Sequence, residues 1–139
     1  MNVKQAVPFF RVSSMEASLR FYVEGLGFEM TGKWEGDGKV RWCWLELGGG
    51  ALMLQEFRKE GHDAWVPESK VGVGVIVAFI CEDAPAIFES ARARGIEASR
   101  PVVGNAMWVT SLSDPDGYRI DFESGTDVPE ETTYGDEDG

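Results

Sequence analysis

Ser113-Asp114-Pro115-Asp116-Gly117-Tyr118-Arg119-Ile120-Asp121-Phe122-Glu123 joins a turn to a strand. In its first half Pro115 presets φ, the aspartates bond nearby backbone, and Gly117 supplies a positive φ. Tyr118, Ile120 and Phe122 then alternate with Arg119, Asp121 and Glu123, which predicts a strand with one apolar and one charged face. A carboxylate on the polar face just past such a turn is placed to point into a cleft. What Asp121 meets there depends on the rest of the chain.

The chain has 139 residues, the length of one domain. Its hydrophobic fraction of 43% and aromatic fraction of 12% are ample for a core. No apolar run approaches the roughly 18 residues of a membrane span. With no basic-then-apolar leader and only two cysteines, Cys43 and Cys81, both in strand-like apolar contexts, a reducing cytoplasm is expected. A formal charge of −11 argues against nucleic acid or an anionic membrane as the partner. Six of the acids lie in residues 124–139, which hold no Lys or Arg, so the rest is only mildly acidic. This polar, acid-rich end reads as a disordered tail.

From the start, Val7 to Val12 reads as a strand, and Ser13 with Glu16 as a capping box that starts a helix near Ser14. Met15, Leu19, Tyr22 and Leu26 form its buried stripe, and Gly25 and Gly27 end it. A strand enters at Phe28, residues 31–39 mark a hairpin turn, and Arg41–Leu47 and Leu52–Phe57 are strands. A polar connector spans 58–72. Then the order recurs: strand Val75–Cys81, a helix capped by Asp83 with Pro85 in its first turn, a strand at Ile96–Ala98, strand Met107–Leu112, and the closing strand. Val12 and Ile80, Leu19 and Ile87, and Gly27 and Gly95 are 68 apart, whereas Trp42 and Trp108, and Gln55 and Asp121, are 66 apart. This collinear match predicts an α+β fold of two tandem βαβββ modules, 1–57 and 73–123, linked by 58–72 and followed by the tail 124–139.

Each module is expected as a four-stranded sheet with a helix on its outer, apolar face. Helix-side residues are Phe10/Val12, Leu45/Leu47, Leu52/Leu54, Ile76/Ala78/Ile80 and Tyr118/Ile120/Phe122. The opposite faces would carry Val7/Phe9/Arg11, Trp42/Trp44/Glu46, Met53/Gln55/Phe57, Val75/Val77/Phe79, Trp108/Thr110 and Arg119/Asp121/Glu123. These are too aromatic for bulk water alone, and two curved mixed sheets would enclose them as a cleft for a small ligand.

Phe10 to Tyr22 followed by Gly25-Leu26-Gly27-Phe28, then Leu52 to Glu56 and Asp114 to Asp121, resemble the motifs of the vicinal-oxygen-chelate superfamily. That superfamily includes glyoxalase I, extradiol dioxygenases and bleomycin-resistance proteins, and the resemblance covers roughly residues 6–123. It implies four metal positions, two per module, which fall here on Val7, Gln55, Val75 and Asp121. Two hydrocarbons, an amide and one carboxylate do not supply the three or four His, Cys or carboxylate donors that Zn, Fe or Ni sites take. No cofactor is therefore expected.

The reading that follows is a metal-free binding protein similar to the bleomycin-resistance branch, without catalytic residues. It would sequester an aromatic small molecule, neutral or cationic. Phe9, Trp42, Trp44, Phe57 and Trp108 would stack on it, while Glu46, Gln55, Arg119 and Asp121 orient it. The resemblance also implies a homodimer. Three competing roles stand beside this. Asp121 has Arg11 and Arg119 as ordinary ion-pair partners, the tryptophans can be interface-filling sheet aromatics, and His62 is a solvated loop residue. A metal-dependent glyoxalase- or dioxygenase-like enzyme would need another donor, such as Gln5, Glu46 or Glu123. An interaction module would fill its cleft with its own side chains.

Overall fold

The computed structural model describes residues 2–135. They divide into two compact units, residues 2–71 and 72–135. The first holds β1 Phe9–Val12, α1 Met15–Leu19, β2 Glu29–Gly36, β3 Lys39–Leu47 and β4 Gly50–Glu56. The second holds β5 Ile76–Ile80, α2 Ala84–Ala93, β6 Val102–Gly104, β7 Met107–Ser113 and β8 Arg119–Gly125. The sheet orders are β1-β4-β3-β2 and β5-β8-β7-β6. In each, the first strand runs parallel to the last and the other pairs are antiparallel. The tandem βαβββ architecture is thus present in both halves.

In the first unit Ser14, not Ser13, caps α1: its hydroxyl accepts the Ala17 N–H at 3.2 Å, while Glu16 pairs with Arg20. The helix then widens into a π-helical stretch, Arg20–Gly25. This shifts the buried stripe to Met15, Ser18, Phe21, Tyr22 and Gly25, leaving Leu19 and Leu26 only half buried. Tyr22 meets Phe28 edge-on at 5.6 Å, above fully buried Val12, Leu45, Leu52 and Leu54. Each such side chain contributes roughly 1.5–3 kcal/mol by leaving water. β2 runs on to Gly36, so the turn expected over 31–39 shrinks to Asp37 and Gly38, both at positive φ.

In the second unit Asp83 caps α2 through the Ala86 N–H at 3.0 Å, and Phe88 and Ala91 are buried. The opening turn behaves as its chemistry requires: Asp114 Oδ1 accepts the N–H groups of Asp116 and Tyr118, both at 2.9 Å, and Gly117 has φ 97°. The strand expected at Ile96–Ala98 is irregular backbone, and the pairing role passes to β6. As far as Gly135, the tail is not loose. The Val103 N–H donates to Thr132 O at 3.0 Å, and the Tyr134 N–H to Pro101 O at 2.9 Å. The Glu130 carboxylate accepts the Asn105 and Ala106 N–H groups at 2.7 and 2.8 Å. Asp136, Glu137 and Asp138 lie outside the described residues.

Two expected strand faces are reversed. Register pairs Val77 with Ile120 and Phe79 with Phe122, and the Phe79 and Phe122 rings stack at 5.6 Å. Val77 and Phe79 therefore face the core, while Ile76, Ala78 and Ile80 are exposed. On β7, Trp108, Thr110 and Leu112 lie on the helix side, because Thr110 pairs with Phe122 and its hydroxyl donates to Ala84 O at 2.8 Å. A hairpin difference causes the second reversal. β3 and β4 are joined by Gly48-Gly49, whereas β7 and β8 are joined by the five residues 114–118. Yet Ser111 pairs with Asp121 only ten residues on, whereas Trp42 pairs with Gln55 thirteen residues on; this arm, three residues shorter, aligns Trp42 with Ser111 rather than Trp108, and an odd slip moves every side chain to the other face.

Candidate functional site

The helix-free face of the first unit is assembled by the register of three strands. One row runs Phe9, Met53, Trp44, and the next runs Arg11, Gln55, Trp42. Directly opposed side chains in adjacent strands share a face, so each row is a continuous strip. Gly32 lies across from Trp44, and a Cβ there would sit 3.5 Å from Trp44 Cβ and 3.8 Å from the Trp42 ring. Its missing side chain leaves room beside both indoles. Trp44 Nε1 donates to Glu46 Oε2 at 2.8 Å, which fixes the ring against an exposed carboxylate.

The two rows differ in what covers them. The connector folds onto the second row. The Gln55 amide donates to Asp63 Oδ2 at 2.7 Å, and an Arg11 guanidinium N–H donates to the Asp63 carbonyl at 2.9 Å. Arg11 lies 5.2 Å over the Trp65 ring, whose edge also meets Phe57 at 5.5 Å. Arg58 and Trp65 exchange two backbone hydrogen bonds that close this loop. In the first row Phe9 stays 47% exposed and Met53 and Trp44 are partly exposed. Trp44, Met53 and Phe9 thus form an apolar strip with Glu46 at one end.

The corresponding face of the second unit is polar. Arg119 Nε donates to Asp121 Oδ1 at 2.7 Å and its Nη2 to Ser111 Oγ at 2.8 Å. Asp121 is 5% exposed, opposite Ser111 on one side and Ala78 on the other. Glu97, Ser99, Ser111, Ser113 and Arg119 line an adjoining cavity of about 470 Å³. Serines stand here where the first unit has Trp42 and Trp44.

Of the residues picked from sequence, Phe9, Trp42, Trp44, Glu46, Gln55 and Phe57 come together in the first unit, and Arg119 with Asp121 in the second. Trp108 belongs to neither face; it lies on the helix side, 5.9 Å from the Tyr134 ring. Asp63 and Trp65 were missed. Their signal was an aromatic and an acid in an otherwise polar connector. His62 is exposed on the same loop.

The donor set does not fit a transition metal. Strand parity takes Val75 off the face of Asp121 and puts Ile76 there, one hydrocarbon replacing another. Val7 is also a hydrocarbon, Gln55 is held by Asp63, and Asp121 is held by Arg119. Among the described residues no three His, Cys, Asp or Glu side chains converge.

The model of the Glyoxalase/Bleomycin resistance protein/Dioxygenase superfamily matches residues 4–122. No curated protein matches the chain. Among solved structures, that of UcmS2 is 18% identical with a TM-score of 0.71, covering 90% of this chain and all of its own. TnmS3, an antibiotic binding protein from Streptomyces sp. CB03234, is 23% identical with a TM-score of 0.67, covering 91% of this chain and 99% of its own. TioX from Micromonospora sp. ML1 is 16% identical with a TM-score of 0.66, covering 87% and 99%.

Proposed function

Because the chain belongs to the glyoxalase/bleomycin resistance protein/dioxygenase superfamily, we propose that it binds an aromatic small molecule, neutral or cationic, without a metal or covalent chemistry. The observation that carries this reading is the strip Phe9, Met53, Trp44 beside Trp42, with the Glu46 carboxylate at its edge. Indole faces attract flat apolar rings, and more strongly those bearing positive charge, while a nearby carboxylate adds to that preference. Gln55 and Arg11, both hydrogen-bonded to Asp63, lie in the row beside the strip, and Arg119 with Asp121 forms a polar pair on the second unit's own face. The antibiotic binding described for TnmS3 lends support as a property of that neighbour.

The same reading includes a homodimer in the cytoplasm. Val73, Val75, Ile76 and Ile80 are each more than half exposed, a run of apolar surface that a second copy would cover. Both cysteines are free thiols, which suits a reducing compartment. No helix among the described residues is long and apolar enough to cross a membrane.

Titration with proflavine, a flat aromatic cation, followed by tryptophan fluorescence tests the reading. Saturable quenching is expected, weakened at least tenfold by Trp44→Leu and unchanged by Trp108→Leu. Quenching that Trp44→Leu leaves intact overturns it.

A further inference from the structure

We propose that the second unit carries a separate site for a small planar aromatic anion, between α2 and the segment 132–135. A cavity of about 460 Å³ lies there, with Glu89, Arg92, Arg100, Trp108 and Tyr134 in its lining. That volume accommodates a one- or two-ring guest.

Two guanidinium groups dominate its charge. Arg92 in the last turn of α2 and Arg100 beyond it lie 5.3 and 5.7 Å from the centroid of the buried Phe88 ring. Stacking holds a guanidinium by its flat face and leaves its edge N–H donors directed outward. Arg100 commits one nitrogen, Nη1, to the Tyr134 carbonyl at 3.2 Å. Neither arginine is in an ion pair among the described residues. The lining's carboxylate, Glu89, accepts the Tyr134 hydroxyl at 3.2 Å.

Two rings, Trp108 and Tyr134, line the cavity, with the buried Phe88 behind them. Tyr134 meets Trp108 and Phe88 edge-on at 5.9 and 6.2 Å. A planar ring bearing one carboxylate matches both features: the paired donors of arginine suit a carboxylate's two oxygens, and the rings accept an apolar body. The preference is opposite to that of the Trp44–Glu46 face, although the whole chain carries −11. The site exists because residues 130–134 return to the second unit and bring Tyr134 against Phe88.

Calorimetric titration of the full chain with 2-naphthoate and with its neutral counterpart 2-naphthalenemethanol tests the proposal. Naphthoate is expected to bind saturably, at least tenfold tighter than the alcohol. Arg92→Gln and Arg100→Gln should each weaken it at least tenfold. Arg92 is exposed, so its variant keeps the fold, as circular dichroism would verify. Trp44→Leu should leave naphthoate affinity unchanged, which separates this site from the aromatic strip of the first unit. Equal affinity for acid and alcohol, unchanged binding by Arg92→Gln, or absence of saturable binding overturns the proposal.

Discussion

Glu56 Oε2 accepts the backbone N–H of Met15 at 2.8 Å, so the last residue of β4 caps the first residue of α1. The second unit solves the same problem with a different residue: Ser124 Oγ accepts the Ala84 N–H at 2.8 Å. Helix N-termini leave their first N–H groups without partners in the helix, and a buried one must be satisfied from outside. Glu56 also meets Lys39 at 2.7 Å and Arg41 at 3.1 Å.

Replacing Glu56 should therefore destabilise the first unit. Its side chain is about 10% exposed, and removing it leaves the Met15 N–H without this partner and Arg41 with only the exposed Asp37. Glu56→Ala is expected to lower the unfolding free energy by about 2–4 kcal/mol in a urea titration. Burial pushes the carboxyl up, but the Lys39 and Met15 hydrogen bonds and the charges of Lys39 and Arg41 outweigh it and hold the group below its ordinary 4.5. The carboxylate's contribution is thus present above pH 4.5 and lost as pH falls through the lower folded value. Glu56→Gln should flatten that acid limb of the stability curve.

The face assignment on β7 is open to a paired substitution. Thr110 is fully buried and donates to Ala84 O, whereas Ser113 is exposed. Thr110→Val keeps the shape but removes the hydroxyl's hydrogen bond to the Ala84 carbonyl and should cost about 1 kcal/mol. Ser113→Ala should stay within about 0.5 kcal/mol. Equal costs by thermal denaturation would mean the strand is turned over.

The two thiols should differ in reactivity. Burial pushes Cys43 up to about 11, and its side chain is fully enclosed. Cys81 is raised mainly by burial too, but it is partly exposed. Iodoacetamide at pH 8 should label Cys81 slowly in the native protein and Cys43 only after unfolding, as peptide mass spectrometry would read.

Glu130 clasps the β6–β7 turn, where Asn105 and Ala106 both have positive φ and turn their N–H groups onto one carboxylate. Glu130→Ala should speed hydrogen exchange of the Val103 and Tyr134 amides, whose acceptors are Thr132 and Pro101, while leaving β8 amides unchanged.

Much of this fold was legible because turns carry strong local chemistry. Asp114-Pro115-Asp116-Gly117, Asp83 with Pro85, and Gly48-Gly49 each sit where the chain reverses or a helix begins. Strand faces were harder. Val75-Ile76-Val77-Ala78-Phe79-Ile80 is apolar throughout, so nothing in it shows which residues point inward. The identity of Trp42 with Trp108 suggested a register that the second hairpin, three residues shorter between Ser111 and Asp121 than the first between Trp42 and Gln55, displaces. The aromatic strip was found because Trp42, Trp44 and Glu46 alternate cleanly with Cys43, Leu45 and Leu47. Asp63 and Trp65 escaped because they reach Gln55 and Phe57 through a loop with no period. The acidic end looked unstructured by composition, yet Glu130 and Tyr134 each find specific partners in the second unit.

We propose that the aromatic guest is recognised without a metal. The direct test is proflavine titration of full-length protein stripped by chelation, repeated after adding Ni²⁺, Zn²⁺ or Fe²⁺, with bound metal counted after dialysis. Saturable binding by the stripped protein, changed less than twofold by any of these ions, is the predicted result. Binding that appears only when one transition metal per chain is retained would contradict the account.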